Sequence, residues 1–112
     1  MSVVVSLADL RAATEGQIGW CYLLTVSDEG QARVLAIAPE WNEDSTVLRA
    51  EVGGSTAKNA AARPVVSMVW PPLMANGYTL IADGNVVVDG RTIRFSPIGA
   101  VLHRPAVSGD AP

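Results

Sequence analysis

The hydrophobic positions change their spacing several times along the chain, and each change marks an element. "SLADLRAATEG" (residues 6–16) puts Leu7, Leu10 and Ala13 or Thr14 on a narrow stripe. Ser6 precedes Asp9 by three residues, a weak capping-box pattern, and Gly16 is placed to end a short helix. "IGWCYLLTVS" is then aromatic and β-branched, as strands are, "DEG" is a turn signal, and "QARVLAIAPE" returns as a second strand. "STVLRAEV" alternates Val47, Arg49 and Glu51 against Leu48, Ala50 and Val52, which predicts a third strand. "VGGSTAKNAAARPVV" supplies a second helix that must end near Arg63, because Pro64 disfavours helical geometry in the residue before it. "VVSMVW" reads as a fourth strand, ended by Pro71 and Pro72. "GYTLIADGNVVVDGRTIRFSP" reads as two or three short strands broken at "DG" turns.

The pattern thus predicts six or seven short strands and two small helices. Most strands lack clean polar alternation, so both faces are expected to be covered. Short antiparallel strands with this punctuation predict a mainly β domain, a barrel or sandwich, over residues 1–105, with 106–112 as a flexible tail.

Composition narrows the functional classes. A chain of 112 residues fits one domain and buries about two thirds of its unfolded surface without staples. Hydrophobic residues make up 49% and charged residues 17%, which excludes a disordered chain, and a mean hydropathy of +0.27 points to self-association. The net charge is −3 with no basic block, so no nucleic-acid partner is expected. Cys21 is the lone cysteine, in an apolar run, which allows no internal disulfide and fits an inert thiol. No signal-peptide pattern and no membrane-length apolar run are visible, and the expectation is a cytoplasmic protein without a membrane partner.

One stretch carries candidate chemistry. Lys58 is the single lysine, and it follows Gly53, Gly54, Ser55 and Thr56 at the start of an alanine-rich helix. With Ser55 as N-cap, Lys58 falls at the third helical position. A cation is mildly unfavourable there unless an anion answers it. Two readings stand side by side: ordinary serine capping, and a phosphate site built from free amides, two hydroxyls and one ammonium. The order is not that of a Walker loop. Arg33 and Arg49, on neighbouring predicted strands, can lend charge to the same pocket or lie on a solvated face. The acidic residues around Trp41 lack a histidine and give no metal site. His103, the only histidine, has no nucleophile partner in the pattern, and no catalytic residue is assigned.

The succession of helix, "YLLTVSDEGQARVLAIA", "STVLRAEV", "GSTAKNAAARPVVSMVW" and "YTLIADGNVVV" resembles the pyridoxamine 5′-phosphate oxidase-like, FMN-binding split-barrel superfamily. The likeness runs from residue 7 to about 95, and its most telling piece is Asn59 five residues before the strand-opening Pro64. It implies a six-stranded antiparallel split β-barrel that forms a homodimer with two flavin sites across the interface. In that family the strand matching "RVLAIA" runs along the flavin, which marks Arg33, Leu35 and Ile37. The end of the next strand marks Arg49 and Ala50, the following helix start marks Ser55, Thr56 and Lys58, and the partner's contribution marks Thr79. The match also departs from the family. The usual phosphate-binding lysine falls on Thr56, and the lysine ending the family's "R-x-x-L-L-K" strand is Ala38. The chain ends before the family's C-terminal substrate-binding segment, so oxidation of pyridoxamine phosphate is not the expected reaction.

The resemblance implies a small homodimeric flavoprotein, using FMN or alternatively the deazaflavin F420, that acts as an oxidoreductase on a small-molecule substrate. The alternative is a split-barrel dimer that has lost its cofactor and serves as a ligand-binding or interaction module.

Overall fold

The computed structural model describes residues 1–105; the expected tail at 106–112 lies outside the described residues. The chain begins with strand β1 (Ser2–Val5), a 3-10 turn (Leu7–Asp9) and helix α1 (Leu10–Glu15). Strands β2 (Cys21–Val26), β3 (Ala32–Ile37), β4 (Glu40–Trp41) and β5 (Leu48–Glu51) follow, then helix α2 (Gly54–Ala62). Strands β6 (Val65–Trp70), β7 (Thr79–Asp89) and β8 (Thr92–His103) complete the described chain. All eight strands join one curled antiparallel sheet in the order β3-β2-β6-β7-β8-β5-β4, with β1 also on β8. This is a mainly β split-barrel architecture with two short helices.

The strand count exceeds the six of the resemblance for two reasons. The run "SVVV" pairs with the end of β8, from Ser2↔His103 to Val5↔Ala100, although nothing in its local pattern separates it from the helix that follows. The two-residue β4 pairs with β5 because Asn42 folds the intervening loop: its Oδ1 accepts from the amides of Thr46 (2.9 Å) and Val47 (3.0 Å).

The "DG" dipeptides diverge. Asp89-Gly90 is a true turn, with Gly90 at φ 62°, a left-handed conformation that favours glycine. Asp83-Gly84 is no turn, because β7 runs straight through it. The register against β8 slips there, from Asp83↔Gly99 to Gly84↔Pro97, leaving Ile98 as the extra residue of a bulge. Packing decides the difference. A Cβ on Gly84 would stand 2.5 Å from the Ser96 carbonyl oxygen and 2.7 Å from the Phe95 ring, so the position is held by close backbone approach.

Phe95, Leu10, Leu23, Leu48, Met68, Leu80, Ile93 and Cys21 are the largest fully buried side chains. Each large apolar side chain of this kind contributes about 1.5–3 kcal/mol on burial. α2 adds Ala57 and Ala60 to the core, small enough to let the helix lie close to β2 and β7. Gln17 closes the barrel end, its amide nitrogen donating to the carbonyls of Trp70, Pro71 and Tyr78 at 2.8–3.2 Å. The expectation that both sheet faces are covered is corrected: β2 alternates buried Cys21, Leu23 and Thr25 against Tyr22, Leu24 and Val26, of which Tyr22 and Val26 are exposed. Among the described residues no helix is long and apolar enough to cross a membrane.

Two outcomes are expected. Gly84→Ala should lower stability by about 1–3 kcal/mol, the cost of overpacking a filled site, read as a lower urea midpoint at unchanged slope. Burial lifts the Cys21 thiol from 9.0 to about 12, so the unfolded chain ionises first. Stability is therefore full below pH 9 and falls as pH rises towards 12, by at most about 1.4 kcal/mol per unit. Denaturant titrations of wild type and Cys21→Ala at alkaline pH should diverge in slope. Equal slopes would remove Cys21 as the cause.

Candidate functional site

The principal cleft, about 420 Å³, opens where the β2–β3 hairpin faces the first turns of α2. Strand alternation sets its first wall. Arg33 and Leu35 stand opposite Thr25 and Leu23, both buried, so they project to the barrel side while Val34 and Ala36 project outward. Arg33 donates to the Gln31 Oε1 at 2.7 Å, which steadies its guanidinium near the hairpin turn.

α2 makes the second wall. Its N-cap is Gly53 in extended geometry, with no side-chain cap, and the Ala57 amide donates to the Gly53 carbonyl at 3.0 Å. The expected capping role of Ser55 is thereby corrected. The strand is held as far as Val52, whose amide donates to the Arg91 carbonyl (2.8 Å), so the helix starts directly after it. Ser55 is then the second helical residue and Lys58 the fifth, about half a turn deeper than expected. The amides of Gly54, Ser55 and Thr56 precede the first helical bond and carry the positive end of the helix dipole.

Ser55, Lys58 and Asn59 share one helix face by their i, i+3, i+4 spacing, and with Thr56 they line the cleft. Lys58 makes no ion pair or hydrogen bond among the described residues. The hairpin turn contributes Ser27, Asp28 and Glu29 to the rim. Asp28 is already answered: Arg63 donates to its carboxylate at 2.8 Å and to the Val26 carbonyl at 2.7 Å, which pins the end of α2 against the hairpin. The cleft therefore presents two cations, free amides and hydroxyls against one unanswered carboxylate, Glu29. That arrangement can hold a compact anion beside the apolar side chain of Leu35.

Five of the nine sequence-derived site residues meet here: Arg33, Leu35, Ser55, Thr56 and Lys58. The other four lie elsewhere in the single chain. Ile37 and Ala50 are buried in the core. Arg49 is exposed and paired with Glu51 at 3.0 Å, a carboxylate that also accepts from the Thr92 hydroxyl. Thr79 begins β7 opposite His103, whose Nδ1 lies 3.0 Å from the Ser2 hydroxyl. Sequence reasoning missed Thr25, Ser27 and Asp28, since "SDEG" signals only a turn. It also missed Arg91, whose guanidinium approaches to 3.9 Å of where a Cβ on Gly54 would stand.

No protein-family model matches the chain. Among solved structures, that of an F420 reductase aligns at a TM-score of 0.63 with 17% identity, over 79% of this chain and 93% of that one. A candidate 5-nitroimidazole antibiotic resistance protein from Bacteroides thetaiotaomicron aligns at 0.60 with 10% identity, over 91% and 88%. A third solved chain aligns at 0.66 with 20% identity, over 88% and 90%. At these identities the likeness is one of fold. In sequence, the uncharacterized proteins Mb0449c of Mycobacterium bovis and MT0457 of Mycobacterium tuberculosis are each 34% identical to this chain, over 78% of it and 72% of their own length. The chain belongs to the family of these two mycobacterial proteins, and it shares the split-barrel fold of these solved structures.

Proposed function

We propose that the chain is a small homodimeric, cytoplasmic flavoprotein that binds FMN or F420 and transfers hydride or electrons to a small molecule. The observation that carries this reading is the unpartnered Lys58 on a cleft shared with Arg33, Ser55 and Thr56, beside three free amides of α2. An ammonium with no protein partner next to a helix N-terminus is stabilised by an anion, and a cofactor phosphate supplies one. The shared fold with an F420 reductase supports the same class of cofactor.

A bound flavin or deazaflavin supplies the redox chemistry itself. This chain's residues have narrower tasks under the proposal. Lys58, Arg33 and the α2 amides hold the anionic tail, Ser55 and Thr56 orient it through their hydroxyls, and Leu35 excludes water from the apolar part. No side chain needs to act as acid or base.

A second reading, a dimeric module without cofactor, is favoured by one feature: Thr56 occupies the position where the superfamily resemblance expects lysine, and Glu29 stands on the same rim. Purified protein decides between the two. The first reading expects a flavin spectrum as isolated, or saturable quenching of added FMN or F420 fluorescence. Lys58→Ala should then weaken that binding by about 1–3 kcal/mol, roughly 5- to 150-fold. Colourless protein that ignores both cofactors establishes the second.

A further inference from the structure

A second cavity, about 370 Å³, opens between the 3-10 turn, the β4–β5 loop and β8, and it shares no residue with the cleft described above. Leu7, Trp41 and Pro97 give it an apolar side, and Asp44 with Thr46 gives it a polar one. Its volume lies within the ~300–1,000 Å³ of small-molecule sites. Trp41 is half-buried against the core, whereas Leu7 stays 49% exposed on the rim.

Both sides are held in place without a ligand. The Trp41 Nε1 donates to the Thr14 hydroxyl (3.1 Å), which donates in turn to the Arg11 carbonyl (2.6 Å), so α1 sets the indole. Asn42 fixes the loop from within. Besides its bonds to the Thr46 and Val47 amides, its Nδ2 donates to the Thr46 hydroxyl at 3.1 Å and its own amide to the Val47 carbonyl at 2.9 Å. Ser45, beside Asp44, is left-handed at φ 58°, a costly conformation for a residue with a Cβ. Two bonds hold it there: its amide donates to the Asn42 carbonyl at 3.1 Å, and Arg11 Nη1 donates to its hydroxyl at 2.9 Å. Walls ordered in advance spare a ligand the cost of ordering them.

Charge selects the occupant. Asp44 is the one ionisable residue on the lining, and it makes no hydrogen bond or ion pair among the described residues. Arg11, which reaches Ser45, is already engaged by Glu15 at 3.5 Å. An anion therefore finds no cation on this lining. A neutral apolar occupant would take water from Asp44 without pairing it, which costs energy. No group of three metal-ligating side chains stands among the described residues.

We propose that this cavity is a second binding site, for a small organic monocation with an ammonium on an apolar body. The ammonium donates to the Asp44 carboxylate, and the apolar body lies against Trp41, Leu7 and Pro97. The indole adds to the attraction, because its π face favours a cation within about 6 Å. The proposal goes beyond the flavin reading and does not depend on it.

Phenethylamine is the probe, titrated calorimetrically into the full chain at neutral pH beside phenylpropionate, which carries a carboxylate on the same ring. Saturable binding of the amine alone is expected, with a shift of the Trp41 indole N–H resonance. Asp44→Asn should raise the dissociation constant at least about tenfold, the scale of a charge-assisted hydrogen bond. Near-UV circular dichroism checks the fold, and Leu7→Ser, also at an exposed position, keeps the test valid where Asp44→Asn misfolds: it too should weaken the amine. Undiminished binding in the folded variants overturns the site. Equal binding of phenylpropionate overturns the choice of a cation, and no saturation by ~10 mM amine overturns the proposal as a whole. Titration of FMN or F420 into Asp44→Asn, expected to match wild type, reports separately on the flavin reading.

Discussion

The close approach of Gly84 to Phe95 governs the shape of the sheet. No side chain fits between this backbone and the Phe95 ring with the Ser96 carbonyl, so β7 lies directly on β8 at the point where their register slips. A bulge at such a contact increases local twist and bends both strands. Beyond the bend β8 changes partner on its other side, taking β5 near its start and β1 near its end. One strand thereby carries both β5 and β1 along the same side, and Phe95, Ile93, Leu80 and Met68 are buried in the core.

The position of the cleft follows from that pairing. β5 ends at Glu51, and the Val52 amide is fastened to the β7–β8 turn through the Arg91 carbonyl. α2 must then begin at once and cross the opening of the barrel. Ala57 and Ala60 face the core, which leaves the opposite spacing, Ser55, Lys58 and Asn59, for the cleft. Arg63 fixes the far end of the helix to the hairpin. The fastening also neutralises Asp28, which matters for the chemistry. Without it two carboxylates would stand on the rim against two cations, and an anion would gain little.

Much of this was legible in the residues. The hairpin around "DEG", β6 between Pro64 and Pro71, and the end of α2 at Ala62 follow from turn chemistry and proline restriction, which act within a few residues. Features fixed by distant partners were not legible. "SVVV" becomes a strand because the end of β8 is available to it, and Asp83-Gly84 becomes a bulge because an aromatic ring sits below. The site divides the same way. Arg33 and Leu35 were reachable through strand alternation combined with the family resemblance, and Lys58 through its singularity. Thr25 and Ser27 were not, since a buried hydroxyl on a hairpin leaves no signature. The Ser55 cap failed because glycine starts a helix without a side chain when the preceding strand already fixes where the chain must turn.

The two faces of β2 and β3 connect the remaining observations. Alternation gives each strand one side to the barrel; on the other side Tyr22 packs edge-on against Trp20 with ring centroids 4.9 Å apart, while Val26 and Val34 stay exposed. A sequence with 49% hydrophobic residues has too few polar groups to dress that second side throughout, and scattered apolar exposure of this kind needs no separate cause. Ser67 and Asp83 make their hydrogen bond inside one chain, so Asp83 keeps one acceptor interaction instead of standing as a bare carboxylate. Strand β3 carries both consequences: its inward Arg33 and Leu35 meet the cleft while its outward Val34 stays exposed, one residue apart.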